Sequence, residues 1–424
     1  MKNILVFPCG SEIALEIYRS LSHSTYFHLI GASSVDDHGR FVYEDYIGDI
    51  PFVTDSLFCS RIKNIVSQYN IDAIYPATDM AIACLKRIEL QLGCIVIAPP
   101  VETTEICLSK RKTYTRLGEV IPVPQEYKNI DEIIKYPVFG KHNIGHSAIG
   151  TQRLDDKEMT LDYLSHNPDA VICDFLPGEE YTVDCFSNSR RELLFYGVRL
   201  RARIKNGISV YTIPVKDENN DFRRLIENIN ITLDLRGAWF AQFKRDNEGN
   251  LVLLEVAARF GGSSALYRAM GVNFAQLTLF DALGYDVVVS HNDYNVEMDR
   301  ALDNVFKFDI SYSEVFVDFD DCLCLDQQIV NTALIAYLYQ CRNQNIRITL
   351  LTHHDNDIYD SLKKLCIGDI FGRIIQIDRT KRKVDYIDNP NSIFIDDSFA
   401  ERKSVQEKGI PVFSVDMVPM LLKL

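Results

Sequence analysis

The chain has 424 residues, 47% of them hydrophobic and 25% charged, enough for about three globular domains with sizeable cores. Its 45 Lys and Arg against 59 Asp and Glu give a formal net charge of −14. That balance speaks against coating a phosphate backbone or an anionic membrane, so neither nucleic acid nor membrane is expected as a partner; small anions need only a local cluster of cations or amides. No apolar run approaches the roughly 18 to 20 residues of a membrane span, and the N-terminus enters a strand-like stretch without a cleavage pattern. The 11 Cys are scattered through apolar segments with no CxxC pair, and Cys322-Leu323-Cys324 is too close for a zinc knuckle. A soluble, cytoplasmic protein with reduced core thiols is predicted.

Residues 4–7, 28–31, 73–76 and 95–98 read as strands, and 13–21, 57–69 and 80–92 as the helices between them. Alternation of this kind predicts an α/β unit over residues 1–100, built on a parallel, doubly wound sheet. Cys9-Gly10-Ser11 turns the first strand into a helix, but it is not G-x-G-x-x-G and makes a weak dinucleotide site. From 101 to 304 the strands lengthen (171–175, 181–187, 192–203, 237–245 and 251–257), with turns at Pro177-Gly178 and 247–250, which predicts an α+β unit. A polar stretch at 292–304 marks its end. Alternation returns over 312–424, with strands at 315–319, 346–352, 374–377, 392–396 and 412–415 and a helix at 330–342, a third unit of the α/β kind.

In the middle unit, an apolar strand ends at Lys141 and runs into a small-residue loop holding Gly145, Ser147 and Gly150. Small residues let backbone amides approach a polyphosphate whose charge the lysine meets, although a Gly/Ser turn beside a surface lysine is also common. Lys110 opens a basic helix start some thirty residues upstream. Downstream, Asp174-Phe175-Leu176-Pro177-Gly178-Glu179-Glu180 offers a strand, a turn and a carboxylate. Gln242 and Glu255 sit on two strands joined by a tight turn, with Arg259 following; a carboxamide facing a carboxylate suits Mg²⁺ bound to phosphates.

In this order, Lys110, the Lys141 loop, Phe175-Leu176-Pro177-Gly178-Glu179-Glu180, and Gln242 followed by Leu254-Glu255-Val256-Ala257-Ala258-Arg259-Phe260-Gly261-Gly262 resemble the ATP-grasp superfamily. Within it the chain is similar to single-module relatives of the carbamoyl-phosphate synthase large chain, over roughly residues 1–300, with a Rossmann-like domain before the grasp. The resemblance implies ATP and Mg²⁺, with Mn²⁺ as an alternative ion. Lys110 and Lys141 would contact the phosphates under a loop holding Gly145, Ser147 and Gly150. The backbone of Asp174, Phe175 and Leu176 would read the adenine and Glu180 the ribose. Gln242 and Glu255 would hold the metal, and Arg259 would lie near the phosphoryl group or the acceptor. One departure stands out: Ala257 occupies a position where the family commonly has a metal-ligating Asn, so one ion is held more weakly or another oxygen, Asp246 being a candidate, replaces it. Arg199, Arg201 and Arg203 alternate along one strand, either as a solvent face or as a cationic wall for an anionic substrate or the phosphates.

The third unit opens with a buried-type strand ending in Asp318-Phe319-Asp320-Asp321-Cys322. Two carboxylates at period two on the C-terminal edge of a parallel strand share a side, and their repulsion calls for a cation or a shared proton. A second strand ends in Thr352, Lys381 and Lys383 follow, and another strand ends in Asp396-Asp397-Ser398. These strand-end signals resemble the haloacid dehalogenase-like (HAD) phosphohydrolases. The resemblance implies Asp318 as nucleophile, Asp320 as general acid and base, and Thr352 and Lys383 holding the phosphoryl group, with Lys381 as the fallback for Lys383. It implies a Mg²⁺ site made of Asp318, the Asp320 carbonyl, Asp396 and Asp397. His353-His354-Asp355 read as loop residues flanking the pocket rather than as a metal cluster.

The combined expectation is an enzyme: an ATP-dependent carboxylate ligase joined to a phosphatase. Its partners would be a small-molecule carboxylate, an amine-type substrate and a phosphorylated small molecule, and a homodimer is a fair expectation. A single grasp module argues against complete carbamoyl-phosphate synthesis. The alternative is a nucleotide- or ligand-sensing module that governs the phosphatase without ligation.

Overall fold

The computed structural model describes residues 1–145, 149–306 and 308–423. The chain divides into two compact units, residues 1–303 and 304–424. The boundary expected near residue 100 therefore falls inside the first unit.

The first unit begins with strands β1 (Lys2–Phe7), β2 (Phe27–Ala32), β3 (Asp45–Ile47), β4 (Ala73–Pro76) and β5 (Ile95–Val96). They form a parallel sheet in the order β3-β2-β1-β4-β5. Helices α1 (Glu12–Leu21), α2 (Gly39–Val42), α3 (Phe58–Gln68) and α4 (Asp79–Leu92) connect these strands. Local chemistry sets the helix limits. The Ser11 and Thr78 hydroxyls accept from the amides of Ala14 and Ala81, and α4 stops at Gly93, whose φ of 75° a residue with a side chain rarely adopts. In the Cys9-Gly10-Ser11 turn, a Cβ on Gly10 would lie 2.1 Å from the Asp37 carboxylate. Ser33 and the Gly39 amide hold that carboxylate in place, so a negative charge packs against this turn.

Helices α5 (Val101–Leu108) and α6 (Lys110–Leu117) lead to a small antiparallel sheet, β7-β6-β8, made of β6 (Val138–His142), β7 (Gln152–Leu154) and β8 (Ala170–Asp174) with α7 (Lys157–His166) between the last two. A larger antiparallel sheet follows, in the order β13-β12-β9-β10-β11-β14. Its strands are β9 (Glu180–Ser187), β10 (Leu193–Lys205), β11 (Ile208–Val215), β12 (Gly237–Arg245), β13 (Leu251–Ala257) and β14 (Met298–Asp299), with α8 (Asp221–Thr232), α9 (Ala265–Ala269) and α10 (Phe274–Ala282).

Period-two alternation divides this sheet into two faces. Tyr181, Val183, Cys185, Val198, Trp239, Ala241, Phe243, Leu253 and Val256 form a core with Phe222, Ile226 and Ile229 of α8. The opposite face carries Glu180, Thr182 and Asp184 of β9, Arg199 and Arg201 of β10, Phe240 and Gln242 of β12, and Glu255 and Ala257 of β13, as the cross-strand partners require. Glu255 is out of phase with Leu253. It joins the polar face because Leu254 is an extra residue in β13: Gln242 faces Glu255 while Phe243 faces Leu253.

The second unit is a parallel sheet, β19-β18-β15-β20-β21, beside the small hairpin of β16 (Cys324–Leu325) and β17 (Ile329–Val330). Its strands are β15 (Glu314–Val317), β18 (Arg347–Thr352), β19 (Arg373–Gln376), β20 (Ser392–Ile395) and β21 (Val412–Phe413), and its helices are α11 (Thr332–Asn343), α12 (Ile358–Lys364), α13 (Phe399–Gln406) and α14 (Val418–Leu421). Apolar clusters cover both faces: Val315, Val317 and Ile395 pack with Leu334 and Leu338, and Phe316, Leu351 and Phe394 with Val384 and Val405. β15 ends one residue before Asp318, two short of the expected end at 319.

Among the described residues, no helix is long and apolar enough to cross a membrane.

Candidate functional site

In the first unit, the polar face of the large sheet floors a cleft made of two adjoining pockets. Both are lined by Lys110, Gly145, Arg201, Gly207, Gln242 and Glu255. One extends to Phe139, Lys141, Ile149, Glu180, Ile204 and Leu254, an apolar wall with charged ends. The other extends to Glu12 and Asp79 of the parallel-sheet region, Arg199, Ala257, Arg259, Gly261, Gly262 and Arg300.

The two lysines are held from behind. Lys110 Nζ donates to the Gly145 carbonyl at 3.1 Å. The Asn143 side chain accepts from Ser109 and from the Arg111 amide, fixing the start of α6 against the end of β6. Lys141 is buried and donates to the Tyr114 hydroxyl, which in turn donates to the Leu254 carbonyl at 2.7 Å. Burial pushes Lys110 below the usual lysine range, against the pull of Glu255. Burial also pulls Lys141 down, but Tyr114, Cys173 and Glu255 outweigh it and hold the ammonium charged. The Tyr114 hydroxyl is pushed up to about 12 by burial, so it stays protonated and able to donate.

Gln242 and Glu255 are direct cross-strand partners, and both line both pockets. Their oxygens are of the hard kind that Mg²⁺ takes. Ala257 lines the second pocket and offers no ligand. Asp246 does not replace it: its carboxylate accepts from the Glu248 and Asn250 amides and the Asn250 side chain at the hairpin turn, outside the cleft.

Glu180 lies 2.7 Å from Arg201 Nε and 4.0 Å from Lys244. Arg259 forms a two-pronged pair with Asp79, at 2.9 and 2.7 Å. Phe175 packs on Phe139 with Arg153 over its ring, and Leu176 is buried. Asp174 is spent on structure: its amide donates to Gln125, and its carboxylate accepts from the Gln125 amide and the Tyr127 hydroxyl. Gly150 does not line the cleft; its φ is 68° and its carbonyl accepts from Tyr163. Ser147 lies outside the described residues.

The three alternating arginines do not share one face. Arg199 and Arg201 line the cleft, whereas Arg203 follows an irregularity in the β10–β11 pairing and is exposed, bonded to Asp299. Arg199 is buried against Asp184, with Nε 2.5 Å from the carboxylate. Sequence reading missed Asp79, Glu12 and Arg300, because each comes from an element remote in the chain, and Tyr114, one turn after Lys110 in α6, whose role depends on its contact with Lys141.

In the second unit, Asp318, Asp396 and Asp397 converge at the ends of β15 and β20, each with an oxygen within 4.8 Å of the others. Among the described residues this is the one acidic, His or Cys cluster of metal-binding size. Lys383 is buried among them, 2.7 Å from Asp396 and 2.9 Å from Asp318. The Asp318 oxygen nearest Lys383 is buried without an aligned hydrogen bond, as fits a ligand position. Burial and the Asp318 charge push Asp396 up to about 6 and raise Asp397 as well. Thr352 is buried at the end of β18, its hydroxyl accepting from the His354 amide.

Asp320 is separate from this cluster. It lies in the turn after β15, half-exposed, with both carboxylate oxygens 2.9 Å from His354 Nδ1. His354 is thus more than a loop residue beside the pocket. His353 bonds the Lys381 carbonyl and Asp355 pairs with Arg379, so neither they nor Lys381 belong to the acidic cluster.

Residues 166–302 match a family model described as ATP-grasp in the biosynthetic pathway with Ter operon. No curated protein matches the chain in sequence. Among solved structures, the fold is similar to the biotin carboxylase domain of the Hydrogenobacter thermophilus 2-oxoglutarate carboxylase, with a TM-score of 0.58 and 14% identity over 68% of this chain and 71% of that one. It is similar to a biotin carboxylase from Campylobacter jejuni, with a TM-score of 0.57 and 17% identity over 68% and 72%. It is also similar to an L-amino acid ligase from Bacillus licheniformis, with a TM-score of 0.56 and 19% identity over 67% and 74%. Residues 166–302 thus match an ATP-grasp family model, and the chain shares the fold of these solved structures over about two thirds of its length.

Proposed function

We propose that the first unit binds ATP with Mg²⁺ in the cleft and activates a small-molecule carboxylate for attack by an amine-type nucleophile. The observation that carries this reading is the Gln242–Glu255 pair on the cleft floor with Lys110 and Lys141 lining the same cavity. In support, the Hydrogenobacter structure was solved with Mg-ADP, ADP and bicarbonate, and the Campylobacter one as a beta-gamma-ATP complex. Phe139, Ile149 and Leu254 would sandwich the base, Glu180 would meet the ribose, and the amides of Phe175 and Leu176, which bond no described residue, would read the adenine edge.

A carboxylate oxygen attacks the γ-phosphorus, the bond to the β-phosphate oxygen breaks, and ADP leaves. The amine then attacks the acyl carbon, expels phosphate and loses a proton to solvent. Lys110, Lys141 and Arg259 offset the charge that spreads over the transferring phosphoryl group. Mg²⁺ when bound supplies further charge neutralisation, and Gln242 and Glu255 would hold it. The finer likeness to the carbamoyl-phosphate synthase large chain rests on motif order, and one module suits one phosphorylation. Ala257 supports the second reading, nucleotide sensing without ligation, since the cleft then has one metal ligand fewer.

We further propose that residues 312–424 form a HAD-like, Mg²⁺-dependent phosphohydrolase. What supports it is the convergence of Asp318, Lys383, Asp396 and Asp397 beside Thr352. Asp318 would attack phosphorus while Asp320 protonates the departing oxygen; Asp320 would then take a proton from the water that cleaves the aspartyl-phosphate. We propose three domains, 1–100, 101–304 and 312–424, in a cytoplasmic protein that forms a homodimer.

The test is ADP release with Mg²⁺ and pooled amino and hydroxy acids, in an Asp318→Asn background that silences the phosphatase. Release that depends on an added acid and is lost on Glu255→Ala supports ligation. Nucleotide binding without turnover on any acid supports sensing.

A further inference from the structure

At the Arg259 end, the cleft holds two buried guanidinium groups, each with one nitrogen whose hydrogen-bonding capacity is not used. Arg199 is 2% exposed; its Nε and Nη2 meet Asp184, but Nη1 has no partner. Arg201 gives Nη2 to the Gly207 carbonyl, while its Nε, 2.7 Å from Glu180, is not aligned for a hydrogen bond. A buried donor left without an acceptor costs about 1 to 3 kcal/mol, more when charged, so a folded protein keeps one where a ligand completes it.

The pocket lining is rich in cations. Lys110, Arg199, Arg201, Arg259 and Arg300 line it together with three carboxylates, Glu12, Asp79 and Glu255, while Asp184 and Glu180 pair with Arg199 and Arg201. Glu12 and Asp79 already balance Arg300 and Arg259, and Glu255 faces Gln242 as the candidate metal ligand. Gly261 and Gly262 pass close to the cations. A Cβ at 261 would lie 3.1 Å from Arg199 Nη2, and one at 262 would lie 3.2 Å from the Glu12 carboxylate and 3.4 Å from Arg300, to which Glu12 is bonded. The amides of both glycines donate to no described residue.

Geometry separates this anion site from the reacting end. Glu255, Gln242, Thr182 and Arg199 form one row of directly opposed residues across four strands. The Arg199 side chain leans along the strands, over the next row, toward Phe240 and Gly261. Its free nitrogen is therefore displaced along the strands from the row of Gln242 and Glu255 by roughly one residue pair, on the order of 7 Å, in addition to its sideways offset on the sheet. A short carbon chain with an acid group at each end spans such a gap.

We propose that the acid taken by this cleft is a dicarboxylate. One carboxylate is presented to the phosphoryl donor at Gln242 and Glu255, and the other is bound by Arg199 and the Gly261–Gly262 amides. This rests on the ligase reading above.

The test uses the full chain carrying Asp318→Asn, saturated with Mg²⁺ and a non-hydrolysable ATP analogue. Calorimetry compares succinate, glutarate and adipate with butyrate, valerate and hexanoate. The proposal expects at least one dicarboxylate to bind tenfold or more tightly than the monocarboxylate of similar length. Arg199→Lys, which keeps the charge facing Asp184 but removes the fork, removes that preference and leaves nucleotide affinity within twofold, which also shows the variant is folded. Intact nucleotide binding with no dicarboxylate preference, or a preference that survives Arg199→Lys, overturns the proposal alone. Failure of the wild-type chain to bind the nucleotide overturns the ligase reading, and this one with it.

Discussion

Gln242 and Glu255 face each other across β12 and β13 because β13 contains one residue more than its partner, Leu254. Were Leu254 paired in regular alternation, Glu255 would follow Leu251 and Leu253 into the apolar core under α8. Deleting Leu254 removes the extra residue and leaves Glu255 opposite Gln242 with Val256 still in the core. The deletion is therefore expected to keep Mg²⁺-dependent nucleotide binding better than Glu255→Ala, which loses about tenfold or more, measured by calorimetry. A loss with the deletion as large as that with Glu255→Ala would contradict this account of the register.

The Tyr114 hydroxyl bridges the buried Lys141 ammonium and the Leu254 carbonyl. In Tyr114→Phe both lose a partner, at a cost of about 1 to 3 kcal/mol in the free protein. A bound nucleotide phosphate restores a partner to Lys141, so the nucleotide should raise the melting temperature of the variant more than that of the wild type. An equal increment in both would show that Lys141 does not meet the phosphates.

His354 Nδ1 contacts both oxygens of Asp320, and its Nε2 lies 2.9 Å from Ser361 Oγ. Because the Ser361 hydroxyl gives its hydrogen to the Asp357 carbonyl, it accepts from Nε2, which fixes the ring orientation. His354→Ala frees the Asp320 carboxylate. Hydrolysis of an alkyl phosphate, whose leaving oxygen needs a proton, should fall by about 10- to 100-fold. Hydrolysis of p-nitrophenyl phosphate, which needs little acid assistance, should change by less than about threefold. Equal losses on both substrates would show only a disturbed fold.

Asp396 titrates near 6 in the folded chain, above its ordinary value of 3.8, with burial and Asp318 raising it and Lys383 opposing them. The folded state therefore binds this proton more tightly than the unfolded state. The stability it lends is present below pH 4 and is lost as pH rises through about 6. Asp397, raised for similar reasons, adds in the same sense. In metal-free protein, the stability of wild type relative to Asp396→Asn should fall between pH 4 and 6.5, measured by denaturant titration. Mg²⁺ should stabilise the wild type above pH 6 and progressively less below it. A difference that does not vary with pH would refute the assignment.

Much of this architecture is legible in the chain. The expected limits of β12 and β13 coincide with those observed, and α1, α3 and α4 begin and end within one residue of expectation, because 3.6-residue periodicity and, for α1 and α4, capping residues are local signals, whereas the short α2 was not foreseen. The Lys383 and Asp396 cluster was legible because parallel strands bring their C-terminal ends to one edge. Phase changes and remote partners were not. An alternating pattern places Arg203 beside Arg201, but an irregularity in the β10–β11 pairing moves it to the edge. Asp246 looks like a ligand in sequence, yet its turn consumes both oxygens. The pairing of Arg259 with Asp79 joins residues 180 positions apart, and no local pattern encodes it.

The most direct test of the central claim follows oxygen exchange within ATP labelled with ¹⁸O at the β–γ bridge, in the Asp318→Asn chain with Mg²⁺, pooled acids and no amine. Reversible phosphoryl transfer to a carboxylate lets the β-phosphate of bound ADP rotate, so label should appear at the non-bridging β position only when acid is present, and not in Glu255→Ala. Nucleotide bound in the cleft with no acid-dependent exchange and no acid-dependent ADP release would contradict carboxylate activation and leave the cleft a nucleotide-binding site.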